Sequence, residues 1–156
     1  MMKKISIIRL FFTVLSILLL RYYVIQPFRT TGISMEPTYR NGSIIFVNKL
    51  VYRIRKPERG EIVVFRTNDA PYLYFVKRIL GLAGEEIEIK NGKLLVNGMQ
   101  VEEGYLPAQN SWDIPPFDVR EGCVFVAGDN REMPVEAHLF TQVALRNIVG
   151  MAMGGR

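Results

Sequence analysis

The chain has 156 residues, 49% hydrophobic and 22% charged, enough for one compact domain with an added segment and too few for two ordinary domains. Its formal charge of +5 is spread from Lys3, Lys4 and Arg9 through Arg53, Arg55, Lys77 and Arg78 instead of forming one basic tract. That spread argues against nucleic acid and for an anionic membrane surface. The single Cys123 excludes an intrachain disulfide and a multi-cysteine zinc site, and the single His138 leaves Ser-His chemistry one candidate base.

The first predicted element is a membrane anchor. Residues Ile5 to Ile25, "ISIIRLFFTVLSILLLRYYVI", number 21 and are interrupted only by Arg9 and Arg21, whose long side chains can reach the headgroups. A transmembrane helix takes roughly 20 residues. The uninterrupted apolar run, Leu10 to Leu20, has 11 residues, so a cleaved export signal is the competing reading. The bulky "RYYVIQPF" that follows has no small-x-small site, and Tyr22 and Tyr23 suit a membrane interface, which favours a retained anchor over residues 1–26. Lys3, Lys4 and Arg9 against Arg21 and Arg29 predict a single-pass protein of the cytoplasmic (inner) membrane. Its N-terminus would be in the cytoplasm and residues 27–156 on the outer face.

Beyond Pro27 the pattern is mainly β, with short runs punctuated by Gly and Asn: "SIIFVNKLVY", "GEIVVFR", "YLYFVKRIL", "EEIEIKNGKLLVNG" and "GCVFVAGDN". Asn91-Gly92 predicts a two-residue hairpin and Asn97-Gly98 a second turn, because both central positions of such turns need positive φ. The expected body is therefore an antiparallel β-sheet domain. The segment "YLPAQNSWDIPPFDVREG", Tyr105 to Gly122, reads as an irregular surface loop.

Three clusters could carry chemistry. In "GISMEPT", Ser34 is either a turn hydroxyl or a nucleophile just past the anchor. In "YFVKRILG", strand alternation turns Lys77 toward the protein and Arg78 the other way. Burial without an adjacent anion, together with like-charge repulsion from Arg78, would lower the lysine pKa toward neutrality and make it a general base. The alternative is a strand lysine that reaches solvent. In "VFVAGDNRE", Gly128-Asp129-Asn130 is either a plain turn or a clamp on a neighbouring loop through side-chain to backbone hydrogen bonds.

Taken in order, these clusters resemble the bacterial type I signal peptidases, membrane-anchored serine proteases with a Ser-Lys dyad. The Ser-Met-x-Pro-Thr pattern is matched by Ser34, Met35, Pro37 and Thr38, and the Gly-Asp/Glu-Ile-Val-Val-Phe strand by Gly60 to Phe65. The lysine motif is matched by "FVKRILGLAGE" from Phe75, and the start of the last conserved box by Gly128 to Arg131. The resemblance implies that Ser34 attacks the scissile carbonyl, that neutral Lys77 is the base, and that the Ser34 N–H meets the oxyanion. It implies supporting roles for Met35, near the membrane surface, and for Pro37, Arg78, Gly128, Asp129 and Asn130. It implies preprotein signal peptides and a lipid bilayer as partners, no metal and no cofactor, and leaves the oligomeric state open. The last box departs from the family's Ser-x-Asp-Ser-Arg, with Pro134, Glu136, Ala137 and His138 at those positions. Pro134 cannot supply the hydroxyl that orients the lysine, and Glu136 could pair with His138 in place of the family's Asp-Arg contact. Two functions follow, an active signal peptidase or a non-catalytic or specialised relative that binds exported proteins or assists their assembly.

Overall fold

The computed structural model describes residues 2–67, 72–106, 112–138 and 141–154, and within them every side chain except those of residues 2–6, Glu136 and Thr141. Helix α1 (Met2–Tyr23) opens the chain, and its side chains from Ile7 to Tyr23 are all exposed. Lys49 ties down its end, its Nζ donating to the Tyr22 carbonyl at 2.8 Å and lying 5.4 Å from the Tyr22 ring centroid. Among the described residues no helix is long and apolar enough to cross a membrane. The anchor prediction is met only as far as a helix, which ends at Tyr23 before the predicted span does.

Strand β1 (Ile25–Arg29) follows at once, then β2 (Ile44–Asn48). The predicted β run beyond Asn48 instead turns into a single helical turn, α2 (Val51–Ile54). The cause is local: the Asn48 side-chain oxygen accepts the N–H groups of Leu50 and Val51, ending the strand and starting the turn. Then come β3 (Ile62–Phe65), β4 (Phe75–Gly81), β5 (Glu86–Lys90), β6 (Lys93–Val96) and β7 (Met99–Gln100). The β5–β6 and β6–β7 turns are the two Asn-Gly pairs, with Asn91 at φ 48° and Asn97 at φ 51°, as predicted.

The segment expected to be an irregular loop is in part a strand, β8 (Ile114–Asp118), with Trp112 and Val119 buried at its ends. It pairs with β5 at the edge of the smaller sheet; neighbouring N–H positions point to opposite sides of a strand, so the open edge accommodates one of Pro115 and Pro116 and the register shift between the Ile114 and Phe117 pairings the other. Residues 107–111 of that segment lie outside the described residues. Strands β9 (Cys123–Ala127), β10 (Thr141–Ala144) and β11 (Ile148–Met153) complete the chain.

All strand pairings are antiparallel, in a seven-stranded sheet ordered β1-β2-β11-β3-β4-β9-β10 and a four-stranded sheet ordered β7-β6-β5-β8. Strand β3 is buried on both faces, so its residues alternate between two cores. Ile62 and Val64 join Met35, Tyr39, Ile45 and Val47, while Val63 and Phe65 join Ile79, Val124 and Val126. A third core fills the junction of the two sheets, where Leu80, Phe125 and Ala127 of the large sheet meet Ile87, Ile89 and Leu94 of the small one.

The crossing from β4 to β5 is possible because Gly81 has no side chain. A Cβ there would stand 2.6 Å from Ile87 Cγ1 and 3.0 Å from Val119 Cγ2, in a core with no room to yield. Gly81→Ala is expected to destabilise the fold by about 1–3 kcal/mol through overpacking, read as a lowered urea midpoint with unchanged slope.

Candidate functional site

Residue Ser34 sits half-buried in the turns between β1 and β2, and the segment around it is tied to the rest of the fold by the Gly128-Asp129-Asn130 turn. The Asn130 N–H donates to the Ser34 carbonyl at 3.0 Å, and the Asn130 side-chain amide donates to the Ile33 carbonyl at 3.1 Å. The Thr38 hydroxyl donates to Asp129 Oδ2 at 2.5 Å. Met35 lies in the core beside Tyr39 and Ile45, so it anchors the Ser34 turn from within. Pro37 is exposed. Among the described residues no hydrogen bond occupies the Ser34 N–H or hydroxyl.

Residue Asp129, 0% exposed, is the charge at the centre of this arrangement. Arg78, 3% exposed, donates to it twice, Nε to Oδ1 at 2.9 Å and Nη2 to Oδ2 at 2.7 Å, and also donates to the Gly60 carbonyl. The Tyr105 ring caps the guanidinium at 3.8 Å. A fork-to-fork pair of this kind fixes both orientation and charge.

Lys77 is 5% exposed, next to Arg78 on β4. It stands opposite Val63 on β3, and residues directly opposed in an antiparallel pair share a face, so the two neighbours point to opposite faces as predicted. Both are nevertheless buried. The Lys77 pKa is lowered to about 8, first by burial, while the negative charge of Asp129 pushes the other way. The expectation of a lysine with no anion beside it and with repulsion from Arg78 is therefore corrected. An anion is near, it limits the depression, and the Arg78 charge is spent on that same carboxylate on the other face. No hydrogen bond joins the Lys77 amine to Ser34 among the described residues.

The last pairing of β4 with β9 is Arg78 with Ala127, and a continuation of that register by one step would set Lys77 beside Gly128. A Cβ on Gly128 would collide with the Ser34 carbonyl and stand 2.9 Å from His138 Cε1. Glycine is therefore required, with the Ser34 carbonyl and the His138 ring packed against it. His138 is 5% exposed, its Nε2 lies 2.9 Å from the Asn130 carbonyl, and its ring meets Trp112 edge-on at 4.6 Å. Burial, then the positive charges of Lys77 and Arg131, lower its pKa to about 4, against the raising effect of the Asn130 carbonyl. It is a neutral imidazole at pH 7. The predicted pairing of His138 with Glu136 falls on a side chain outside the described ones.

The profile of the family described as signal peptidase, peptidase S26, matches residues 4–154. The chain belongs to this family. It is 35% identical over 138 residues to a protein named probable signal peptidase I-2 from Synechocystis, covering 85% of this chain and 63% of that one. It is 38% identical over 124 residues to signal peptidase I of Bacillus amyloliquefaciens, covering 73% and 64%. The chain thus spans a little under two thirds of the length of these two relatives. A crystal structure of a signal peptidase I from Enterococcus faecalis V583 superposes with a TM-score of 0.51 at 28% identity, covering 63% of this chain and 97% of that one.

Behind the site, family member though the chain is, lies a set of contacts that the sequence did not announce. Arg131 donates from Nε to the Gly128 carbonyl at 3.0 Å and from Nη2 to Glu103 Oε1 at 2.6 Å, with the Trp112 ring 4.8 Å away. The Trp112 Nε1–H donates to the Met133 carbonyl at 2.9 Å, and the Tyr105 hydroxyl also donates to Glu103. Tyr105 and Trp112 lie in what reads as loop, and Glu103 just before it, so none of the three stands out. The available signal was the chain's one tryptophan in a stretch with too few apolar neighbours to bury it locally.

Removing one member of a buried ion pair leaves an uncompensated charge. Asp129→Ala is expected to cost about 3–5 kcal/mol, as a lowered midpoint in urea unfolding. The exposed change Glu132→Ala, three residues on, is expected to stay within about 0.5 kcal/mol.

Proposed function

We propose that this protein is a signal peptidase, a serine endopeptidase that removes signal peptides from exported preproteins with Ser34 as nucleophile and Lys77 as general base. The observation that carries this reading is a buried Lys77, its pKa lowered to about 8, in a member of the signal peptidase family whose Ser34 turn packs against Gly128. Lys77 in its neutral form takes the Ser34 proton as the hydroxyl oxygen attacks the scissile carbonyl carbon. It returns a proton to the leaving amine, and water then cleaves the acyl-enzyme by the same route. The Ser34 N–H, engaged by no described partner, is available to the oxyanion. Met35, Thr38, Asp129 and Asn130 hold the serine turn, and Arg78 holds Asp129. The substrate segment would bind extended, as a strand against a sheet edge.

Attachment to a lipid bilayer is part of the same proposal, with the chain divided into the helical segment 1–26 and the catalytic domain 27–156. Helix α1 exposes Leu10, Phe11, Phe12, Leu15, Leu18 and Leu19 to its surroundings, and Ile44 and Phe46 face outward on β2. Tyr22 and Tyr23 suit the headgroup level and Arg21 an anionic surface. The cytoplasmic membrane, with the domain on its outer face, is the location this arrangement fits. The second reading, a specialised relative that binds exported proteins, draws on Pro134, which is exposed and has no hydroxyl to offer the lysine.

Two experiments decide. Cleavage of a preprotein in detergent is expected to fall about 1000-fold in Ser34→Ala and at least about 100-fold in Lys77→Met. Since the base must be neutral, kcat/KM of the unmodified chain should rise with pH through about 8 and fall below it, with a flat profile counting against Lys77. Absence of cleavage by the unmodified chain would favour the binding role. Separately, the full chain should float with anionic phospholipid vesicles, and Leu15→Asp with Leu19→Asp should abolish flotation while leaving the circular dichroism of the β domain unchanged.

A further inference from the structure

The site contains one titratable side chain that the proposed reaction does not use. His138 is held edge-on to Trp112, with its Nε2 at hydrogen-bond distance from the Asn130 carbonyl. A carbonyl only accepts, so Nε2 carries the proton and Nδ1 keeps its lone pair. The edge bearing Nδ1 and Cε1 faces Gly128, with Nδ1 3.0 Å from where a Cβ would be. Continuing the Arg78 to Ala127 register by one residue, a Cβ on Gly128 and the Lys77 side chain leave the sheet on the same face. The Ser34 carbonyl lies against the same glycine. Lys77 is near enough for its charge to lower the His138 pKa, and the imidazole stays neutral across the working range.

We propose that His138 is a positioning residue for Lys77, its Nδ1 accepting an N–H of the lysine amine and so aiming the amine lone pair at the Ser34 hydroxyl. The lysine stem has the torsional freedom to bring the amine to Nδ1, and the imidazole is fixed on its other side by Asn130 and Trp112. Pro134 lies exposed and offers no side-chain acceptor, so the orienting group comes from four residues further along. The same Asn130 that clamps the serine turn thereby sets the tautomer of the residue that orients the base.

This inference rests on the Ser34–Lys77 reading, and two measurements keep their failures apart. Glutamine puts its amide where Nε2 stands and keeps a donor to Asn130, whereas asparagine puts its amide oxygen where Nδ1 stands. In the full chain, His138→Gln is expected to lower kcat about tenfold or more with KM within about twofold. His138→Asn should stay within about threefold of the unmodified kcat. The reverse order, or equal loss in both, would assign His138 to holding the Asn130 loop and overturn the proposal. The second readout needs no turnover and no His138 variant. His138 is the only histidine, so its two imidazole nitrogen resonances are assigned without ambiguity. On Lys77→Met the Nδ1 resonance should move while Nε2 stays. An Nδ1 resonance indifferent to Lys77→Met overturns the contact whether or not the chain cleaves any preprotein.

Discussion

The pair formed by Arg78 and Asp129 is the constraint on which the rest of the site depends. Two opposite charges, both almost fully withdrawn from solvent, are costly to bury unless each satisfies the other, and here the fork of the guanidinium meets both carboxylate oxygens. Because Asp129 also accepts from Thr38, the same carboxylate fastens the serine turn to β4 and the end of β9. Its residual field reaches Lys77 as well, and keeps that amine from losing its proton too readily. One carboxylate thus sets position on one face of β4 and basicity on the other.

Much of the molecule could be read from the chain itself, where the determinants are local. The Asn-Gly turns declared themselves because few residues accept positive φ, and the Ile62–Phe65 strand because its unbroken apolar run suits a strand buried on both sides. Ser34, Lys77 and the Gly128 turn could be singled out by resemblance, and alternation correctly separated Lys77 from Arg78. What stayed hidden is what depends on contacts between distant residues. Arg78 and Asp129 are 51 residues apart and Arg131 and Glu103 are 28 apart, so no window of sequence shows either pair. Pro115 and Pro116 disguised β8, since proline is excluded from central strands yet harmless at an edge. The burial of Met35 was hidden for a similar reason: its immediate neighbours in sequence are polar, but its neighbours in space are Tyr39, Ile45 and Val47.

The helical segment shows the reverse lesson. Composition made it long enough on paper by tolerating Arg9 and Arg21, and what stands in the structure is a helix over Met2–Tyr23, with no span among the described residues that qualifies as membrane-crossing. Its apolar side chains from Ile7 to Tyr23 still stand uncovered by the domain, and Lys49 reaches back to its end. Folding of the β domain therefore proceeds on cores that take nothing from α1.

The small sheet delivers Glu103, Tyr105 and Trp112 to the back of the site, against Arg131, Arg78 and His138. These three flank the strands of that sheet in connecting segments, the part of a chain most open to drift, yet each touches a buried side chain beside the Gly128 turn. Descendants of this chain are thus not free to vary the two regions independently: an exchange at Trp112 or Glu103 has to be answered by one at Arg131 or His138. Such matched changes, surveyed across related genomes, would form a record of how the rear wall and the reacting groups have moved together.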